Sequence, residues 1–429
     1  MAVSIGFTAT EAGVFPSDWP IRPLGDLFEF SGGHSASRAQ LSDVGYCYLH
    51  YGDIHGARKS SIDTRADFLA IPKLPIALRD VSSRSMLDDG DVVFVDASED
   101  DEGASKHIVV INKDRIPFIA GLHTIVAKSK SDVLAPEYRR YCFQTSSIRS
   151  QFLFYAVGTK VTGISKSNIP KLLLPVPPLP EQRAIAAALS DVDSLLESLD
   201  RLIAKKRDLK QATMQQLLTG KTRLPGFSGE WETVRLGDVA EMSSGGTPLS
   251  SVADYYGGEI PWVSISDMTK AGKFLRHTEE TLTRRGLTNC AAKMFQPGTV
   301  LYAMYASLGE CSIASVPLCT SQAILGIRPA ARLGAEFLYY LLSSMKAAVR
   351  EVGQQGTQAN LNKGMVQDFS LNLPSSAEQE AIASVLADID TEIGALTARF
   401  DKVRDLKRAM MQELLTGKTR LVSGEAAHA

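Results

Sequence analysis

The chain has 429 residues, of which 44% are hydrophobic and 22% are charged, and its formal net charge is −2. This composition is ordinary for a soluble globular protein of two or three domains, and the near-neutral charge argues against a polycation that coats nucleic acid. No apolar run approaches the roughly 20 residues that cross a bilayer, and the N-terminal segment lacks the basic start and apolar core of a secretory signal. We therefore expect a cytoplasmic protein.

The five cysteines are odd in number and form no C-x-x-C pair. This pattern favours reduced thiols over a disulfide framework or a zinc site. They are Cys47, Cys142, Cys290, Cys311 and Cys319.

Residues 1–180 form a first variable region with a mixed α/β pattern. The run 91–95 follows Gly90 and predicts a strand, and 137–144 predicts a short helix. Between such elements lie glycine-rich polar loops, including SGGHSAS at 31–37. Loops of this kind can present hydrogen-bonding groups from a rigid core.

Residues 181–221 are predicted to form a long helix, because apolar residues recur at steps of four and three. This spacing is the seam of a coiled coil, and a helix of about 38 residues would be about 57 Å long. Gly220 stands where the helix is expected to end. The predicted seam consists of Ile185, Leu189, Val192, Leu196, Leu199 and Ile203.

Residues 222–377 form a second variable region, which repeats the first weakly. The run 299–302 predicts a strand and 336–342 predicts a short helix. Its correspondences with the first region are Trp19 with Trp231, Ser31-Gly32-Gly33 with Ser244-Gly245-Gly246, Asp53 with Asp267, and Lys166 with Lys363. Two diverged regions on one frame indicate two different ligands.

Residues 378–417 are predicted to form a second long helix. The segment 378–421 aligns with 181–224 without a gap, and about 25 of the 44 positions are identical, which shows an internal duplication. Ser375 and Glu378 have the spacing of a capping box. The apolar face is predicted to continue through Leu209/Leu406 and Leu217/Leu414. Its predicted seam consists of Ile382, Leu386, Ile389, Ile393, Leu396 and Phe400.

A seam needs a partner, and the duplication supplies a matched one within the chain. We expect the two helices to pair antiparallel as an intramolecular coiled coil, with pseudo-two-fold symmetry between the halves. The alternative is a zipper between two chains. The predicted fold class is therefore two α/β (α+β) globular domains joined by two long helices.

Motifs that would indicate catalysis are absent or out of context. The GKT at 220–222 and 417–419 lacks the earlier glycine of a phosphate loop and closes a helix instead of opening one. Asp208 and Asp405, each two residues before a lysine, lack the acidic neighbours of a nuclease site. His50 and His55 flank Asp53, but a structural role is favoured over a metal site. The sequence is interpreted as non-catalytic, with no metal site.

Taken together, these features resemble the specificity subunit of a type I restriction–modification system. That family alternates two target-recognition domains with two conserved helices. The motifs that carry the resemblance are LPEQRAIAAAL (179–189), LLTGKTRLPGFSGEW (217–231), SGGTP (244–248), YYGGEIPWVSISD (255–267), GTKVTGISKSNI (158–169), GTQANLNK (356–363) and the closing LLTGKTRL (414–421).

The resemblance implies that this chain chooses the double-stranded DNA sequence for a larger complex in a bacterial or archaeal cytosol. Two methyltransferase subunits would bind it and carry S-adenosylmethionine. Restriction subunits, where present, would bring ATP and Mg. The chain itself would hold no cofactor. Each recognition domain would read half of a split DNA target, and the helices would set the spacer and dock the methyltransferases.

The resemblance also assigns the domain boundaries. The first target-recognition domain would be 1–180, the first helix 181–221, the second domain 222–377, the second helix 378–417 and a tail 418–429. The rival interpretations are a non-DNA scaffold that presents two ligand-binding modules on a coiled coil, and a self-contained nuclease.

Candidate DNA-binding residues are polar and basic side chains in the predicted loops, since such groups read base edges and phosphates. The first region (1–180) has 19 basic and 20 acidic residues and the second (225–377) has 12 and 13, so we expect modest, salt-dependent DNA affinity. The candidates are His34, Ser37, Arg38, Arg58, Lys59, Lys106, Lys160 and Lys166 in the first region, and Thr247, Ser250, Lys270, Lys273, Arg276, Gln354, Gln355, Gln358, Asn360 and Lys363 in the second.

Overall fold

The computed structural model describes residues 6–57, 59–98, 106–157, 162–355 and 360–422. The chain divides into two compact units. The first unit comprises 1–198 and 400–429, and the second comprises 199–399. Each unit therefore contains one variable region, one end of the first long helix and the opposite end of the second.

The first unit is built on a five-stranded sheet. Its strands, in spatial order, are Phe28–Gly32, Thr124–Ser129, Val92–Val95, His107–Ile111 and Ser61–Asp63, and the last pair is parallel. The strand predicted at 91–95 is the central one, Val92–Val95, and its four residues are buried because both faces of the sheet are covered.

The second unit repeats this sheet with the same order and the same parallel last pair. Its strands are Ala240–Ser244, Ile324–Pro329, Val300–Ala303, Cys311–Ala314 and Phe274–Leu275. The predicted strand 299–302 is again the central one. The two variable regions thus share one frame, as the weak sequence repeat predicted.

Smaller sheets complete each unit. In the first unit they pair Phe7–Thr10 with Gly13–Pro16, Ile21–Pro23 with Leu173–Pro175, Tyr46–Leu49 with Lys73–Leu74 and Phe118–Ala120, and Thr162–Ile164 with Ala97–Ser98 and Ala156–Val157. In the second unit they pair Glu232–Arg235 with Ser370–Leu373, and Tyr256–Val263 with Glu280–Leu282 and Cys319–Thr320.

Short helices connect the strands. In the first unit they are Leu24–Leu27, Tyr51–Gly56, Pro136–Cys142 and Ser146–Tyr155, with 3₁₀ turns at Arg38–Gln40, Leu78–Asp80, Ser83–Ser85 and Ile169–Lys171. In the second unit they are Leu236–Val239, Ile265–Ala271, Arg284–Thr288, Ala335–Gln355 and Lys363–Gln367, with a 3₁₀ turn at Ala253–Tyr255.

One short helix was predicted with the wrong length. The segment 336–342 belongs to a helix of 21 residues, Ala335–Gln355. In the first unit the corresponding stretch is broken, because the Thr145 side chain accepts a hydrogen bond from the backbone of Ile148 and starts a new helix. The second unit continues through SSMKAAVR, which contains no glycine or proline.

The two repeated segments are long helices, Leu179–Leu217 and Ser376–Leu414, of 39 residues each. Gly220 and Gly417 follow them in left-handed conformations (φ 69° and 68°), as expected for helix ends. The predicted capping box is only half formed. The Glu378 backbone N–H donates to Ser375 Oγ at 3.3 Å, but the Glu378 carboxylate accepts from Arg223 instead of returning to the cap.

Within each unit the helix segments run antiparallel, which confirms the predicted pairing. In the first unit Lys407 Nζ lies 2.6 Å from Asp193 Oδ1, and Ile185 and Leu189 share a buried cluster with Leu414. As residue numbers rise along one helix, they fall along its partner. Each buried Ile or Leu side chain contributes about 1.5–3 kcal/mol through burial.

The second unit repeats the antiparallel arrangement with equivalent residues. Lys210 Nζ lies 2.6 Å from Asp390 Oδ1, and Lys206 pairs with Glu392. Ile382 shares a buried cluster with Met214, Leu217 and Leu386. Lys206, which follows the first predicted seam, is therefore held by an ion pair across the two helices.

Most of the helix seam is covered. Ile185, Leu189, Leu199, Ile203, Ile382 and Leu386 are buried, whereas Val192, Leu196, Ile389, Ile393, Leu396 and Phe400 are half-buried. Leu209 and Leu406, which were predicted to continue the apolar face, are instead 49% and 54% exposed. Leu217 and Leu414 are buried as predicted. The seam thus leaves the Leu209 and Leu406 positions uncovered within their units.

Candidate nucleic-acid interface

In the first unit, several loops meet at one end of the five-stranded sheet, which we call the sheet tip. The His34 N–H donates to the Ala120 carbonyl at 2.7 Å, and the Asp96 N–H donates to the His123 carbonyl at 3.2 Å. The Ile164 N–H donates to the Asp96 carbonyl at 2.8 Å. Backbone hydrogen bonds therefore hold these loops together, independently of the side chains that the loops carry.

The second unit has the equivalent backbone hydrogen bonds at its own sheet tip. The Gly246 N–H donates to the Thr320 carbonyl at 2.8 Å, and the Met304 N–H donates to the Ala323 carbonyl at 2.9 Å. The Leu361 N–H donates to the Met304 carbonyl at 3.0 Å. The two tips are thus built to one plan from loops with different sequences.

Each tip requires one glycine where two backbones approach closely. A Cβ atom on Gly33 would lie 1.8 Å from the Gly121 carbonyl oxygen, and one on Gly245 would lie 2.1 Å from the Thr320 oxygen. These two glycines are equivalent by strand register. The predicted match of Gly33 with Gly246 was therefore wrong by one residue, because it followed the shared letters SGG and not the hydrogen-bond ladder.

Beside the first sheet tip, Arg38 and Asp53 form an ion pair, with Nη2 3.0 Å from Oδ1. Ser37 begins the turn that carries Arg38, and its backbone N–H donates to Gln40 Oε1 at 2.8 Å. Ser37 and Arg38 are exposed, and His34 is half-buried. The structure therefore brings three of the predicted first-region residues to one loop.

An aromatic group lies in the same part of the first unit. The Tyr51 ring is 4.5 Å from the His50 ring and 5.4 Å from the His123 ring, measured between centroids. His50 Nδ1 accepts a hydrogen bond from the Gly52 N–H at 3.0 Å and caps a helix. Burial lowers the pKa of His50, which favours the neutral imidazole that this acceptor role requires. His50 therefore has the structural role that the sequence analysis favoured.

The second sheet tip carries a polar pair that has no equivalent in the first. The Thr247 hydroxyl donates to the Gln322 side-chain oxygen, and both residues are exposed. Tyr305 is also exposed, and it precedes Ala306, which has a left-handed backbone (φ 57°). Asn360 is exposed and precedes Leu361, whose backbone N–H donates to the Met304 carbonyl.

The matched pair Asp53 and Asp267 occupies the same position of equivalent helices but makes different contacts. Asp267 is buried, and its carboxylate accepts from the Ser264 backbone N–H at 2.8 Å as part of a capping box. Asp53 is instead paired with Arg38. One carboxylate therefore stabilises a helix, and the other positions an exposed cation.

Three predicted cations are exposed and make no hydrogen bond or ion pair within the described residues: Lys166, Arg276 and Lys363. Lys166 and Lys363 are equivalent, as the sequence predicted, because the neighbouring Ile164 and Leu361 make the same backbone bond. Ser250 is exposed on the loop that carries Thr247.

Other predicted residues already have partners within their units. Lys106 Nζ donates to the His55 carbonyl at 2.8 Å, and Lys59 Nζ lies 3.7 Å from Glu197 Oε1. Lys270 pairs with Glu279. All three lysines are nevertheless exposed or half-buried.

Lys273 is placed differently. Its side chain is 13% exposed, and its Nζ lies 2.6 Å from Glu336 Oε2 and 3.0 Å from the Tyr340 hydroxyl. A contact with DNA would require this ammonium to leave both partners. The geometry therefore favours a structural role for Lys273.

Five predicted residues cannot be assigned contacts. Arg58, Lys160 and Gln358 lie outside the described residues. Gln354 and Gln355 end the helix Ala335–Gln355, and the structure describes their backbone only.

The model of the type I restriction modification DNA specificity domain matches residues 16–205 and 228–402. The chain belongs to this family. It is the DNA-recognition subunit of a type I restriction–modification complex, and specificity subunits are the non-catalytic components of such systems.

Individual relatives match most of the specificity subunit. It is 24% identical to a putative type I restriction enzyme specificity subunit, MjaX, of Methanocaldococcus jannaschii, over 97% of each chain. A second specificity subunit of that organism, MjaVIII, is 25% identical and is matched over 66% of this chain and 70% of its own. The findings support the DNA-recognition assignment, and none of them supports a non-DNA scaffold.

Solved structures share the fold. The S subunit of a type I system from M. genitalium has a TM-score of 0.57 at 13% identity and covers 96% of this chain and 98% of its own. A chain from a structural study of complex assembly and conformational transition in the type I system has a TM-score of 0.60 at 21% identity and covers 94% and 99%. These likenesses confirm the predicted fold class.

Residues at the tips of this specificity subunit were missed by the sequence analysis. Leu122 and Gln322 are equivalent and exposed, and Tyr305 is exposed beside Gln322's loop. The available signal was limited to Tyr305, which closely follows the predicted strand 299–302. Leu122 and Gln322 lie in short turns before strands that the sequence analysis did not predict. These turns are short and lie outside the glycine-rich loops from which the candidates were predicted.

Two broader observations concern the described residues alone. They contain no group of three or more His, Cys, Asp or Glu side chains that could hold a metal ion. They also contain no helix with the length and apolar character needed to cross a lipid membrane.

Proposed function

We propose that each unit reads one half of a bipartite DNA target through its sheet tip, while the two long helices dock methyltransferase subunits and set the spacer. The observation that carries this proposal is a duplicated backbone frame with dissimilar exposed side chains at equivalent tips. Equivalent frames would approach equivalent DNA surfaces, and dissimilar side chains would select different bases.

The charges at the tips fit a reader that depends on partners. Lys166 and Lys363 are exposed equivalents, one in each unit, and would contact phosphates. Because neither variable region has a net positive charge, the chain alone should bind DNA weakly and lose affinity steeply with added salt. Methyltransferase subunits that close around the duplex would supply further phosphate contacts.

The exposed leucines of the long helices support docking of two copies of one partner. Leu209 and Leu406 are equivalent by the duplication and lie uncovered beside charged residues that both copies share. Two equivalent apolar positions would receive two identical subunits. In this proposal S-adenosylmethionine, ATP and Mg belong to the methyltransferase and restriction subunits, and the complex works in the cytosol, where chromosomal DNA is accessible.

The test is an exchange of residues 226–374 for the second variable region of another family member. This interval leaves Arg223 and Glu378 in place, so that the second unit keeps its ion pair at the helix start. The complex with methyltransferase subunits should then methylate a target in which one half-site is new and the other is unchanged. Sequencing of methylated adenines in plasmid DNA measures both halves.

A reciprocal exchange of residues 25–172 serves as the control and should change the other half-site only. If both half-sites changed in either exchange, or if neither changed while methylation persisted, the assignment of one half-site to each unit would be wrong.

A further inference from the structure

The polar pair at the second sheet tip has a geometry suited to reading one base. Gln322 lies in the short turn between the strands Cys319–Thr320 and Ile324–Pro329. Both residues that flank it make backbone hydrogen bonds. The Ser321 N–H donates to the Val263 carbonyl at 3.0 Å, and the Ala323 carbonyl accepts from Met304. A side chain on such a turn is carried by a rigid backbone, as precise recognition requires.

Thr247 orients the Gln322 amide. Its hydroxyl donates to the Gln322 side-chain oxygen. An amide oxygen has two lone pairs, so one acceptor site and both N–H donors are left unused by the contacts of the described residues. The hydrogen bond also selects one of the two amide orientations and restricts the rotamers of an otherwise flexible side chain.

A free acceptor beside a free N–H donor is the complement of adenine in the major groove. Adenine presents N7 as an acceptor and N6–H₂ as a donor, and glutamine is one of the two side chains that match both. Guanine presents two acceptors there, and cytosine presents a donor only, so neither matches the amide at both positions.

We infer that Gln322 reads an adenine in the half-site of the second unit and that Thr247 is its positioning residue. This inference rests on the proposed function. The first unit has Leu122 at the equivalent position, 37% exposed, so the two tips would differ in the base read at this place. An apolar side chain can contact only the methyl group of thymine with comparable specificity.

The experiment uses the full chain assembled with its methyltransferase subunits and a DNA library randomised over the methylated target. Gln322→Ala and Gln322→Glu should each reduce the preference for adenine at one position of one half-site by about 5- to 150-fold, the range for a bidentate base contact. Gln322→Glu should also shift the preference toward cytosine, since a carboxylate accepts from its N4 amino group.

The positioning role has its own readout. Thr247→Val keeps the volume and removes the hydroxyl, and it should weaken the same adenine preference by a smaller factor while leaving every other position unchanged. Thr247→Ser should restore the preference. A structural role for Thr247 would instead lower thermal stability or affinity for all sequences.

The matched control is Gln296→Ala, because Gln296 is an exposed glutamine of the same unit beyond the opposite end of the central strand. It should leave the target unchanged. An unaltered target in Gln322→Ala, or a uniform loss of affinity across all sequences, would overturn this inference alone. A wild-type complex that shows no split target would overturn the proposed function and this inference with it.

Discussion

The two sheet tips share a backbone and differ in chemistry. At equivalent turns the first unit carries Leu122 beside an aromatic group of His50, Tyr51 and His123, and the second carries Gln322 held by Thr247. The backbone bonds that join the loops are nevertheless the same. In this fold, main-chain hydrogen bonds fix the positions of the loops, and the exposed side chains can therefore differ between the two units.

The junctions of the long helices form a second comparison, in which the side chains are repeated as well. In the first unit the buried Glu181 accepts from Trp19 Nε1 at 3.1 Å and from Arg420 Nη2 at 2.7 Å. In the second unit the buried Glu378 accepts from Trp231 Nε1 at 3.2 Å and from Arg223.

The two junctions differ in one respect. Among the described residues, Arg420 also bonds Asp18, at 2.8 Å, whereas the further hydrogen-bond partner of Arg223 besides Glu378 is the Gly229 carbonyl. The neighbouring carboxylates raise the pKa of Arg420, so it remains charged at every working pH. The first junction therefore holds one more ionic contact.

The largest expected effect comes from Arg420→Met, which leaves Glu181 buried without its cation. We expect a loss of about 3 kcal/mol, since unpaired buried charges are costly. Arg223→Met should lose somewhat less, because Arg223 pairs with no second carboxylate in the part of the chain that the structure describes. Calorimetric unfolding of the full chain measures both.

Arg408→Met is the control for these variants, since Arg408 pairs with Asp405 on an exposed helix face and should contribute less than about 0.5 kcal/mol. Equal, small effects of all three substitutions would show that the buried carboxylates do not depend on their arginines.

A smaller effect is expected at the glycines of the sheet tips. Gly33→Ala and Gly245→Ala each place a methyl group within 2.1 Å of a carbonyl oxygen, so the backbone must shift, at a cost of about 1–3 kcal/mol. Each should also impair recognition of one half-site only. Thermal unfolding and methylation of split targets provide the two measurements.

Gly32→Ala tests whether the close approach is the cause, since a Cβ there has no heavy atom within 4 Å. It should leave stability within about 0.5 kcal/mol of the wild type. A loss equal to that of Gly33→Ala would contradict the steric explanation.

The smallest expected effect is a pH dependence confined to the first unit. Because burial lowers the pKa of His50, the unfolded chain binds a proton more readily than the folded chain, and stability falls as the pH drops below about 6.5. His50→Ser introduces the residue that caps the equivalent helix in the second unit, Ser264. Unfolding midpoints measured between pH 5 and pH 8 should vary less in this variant. An unchanged pH profile would argue against a role for His50.

Several features could be predicted from sequence because they are local or duplicated. The 4-3 spacing from Ile185 to Ile203 predicted the first long helix, and the near-identical copy supplied its partner. The buried core strands followed from the apolar run at 91–95. The family resemblance added DNA recognition, which no single residue encodes.

Other features escaped prediction because they depend on contacts between distant residues. Glu181 and Glu378 look like ordinary surface residues of a charged helix, yet tryptophan and arginine side chains from remote segments bury them. Lys273 looks like a free loop cation, yet a helix more than sixty residues later covers it.

The sequence by itself determined the duplication, the two long helices and the family, since periodicity and repetition are properties of the chain read in order. Only the tertiary structure decided which glycine of each SGG motif lies against a carbonyl, that Leu122 and Gln322 are equivalent, and which cations are already paired. Those outcomes depend on strand register and on the close approach of distant backbone segments. Hydrogen-bond geometry and excluded volume decide between arrangements that fit the sequence pattern equally well.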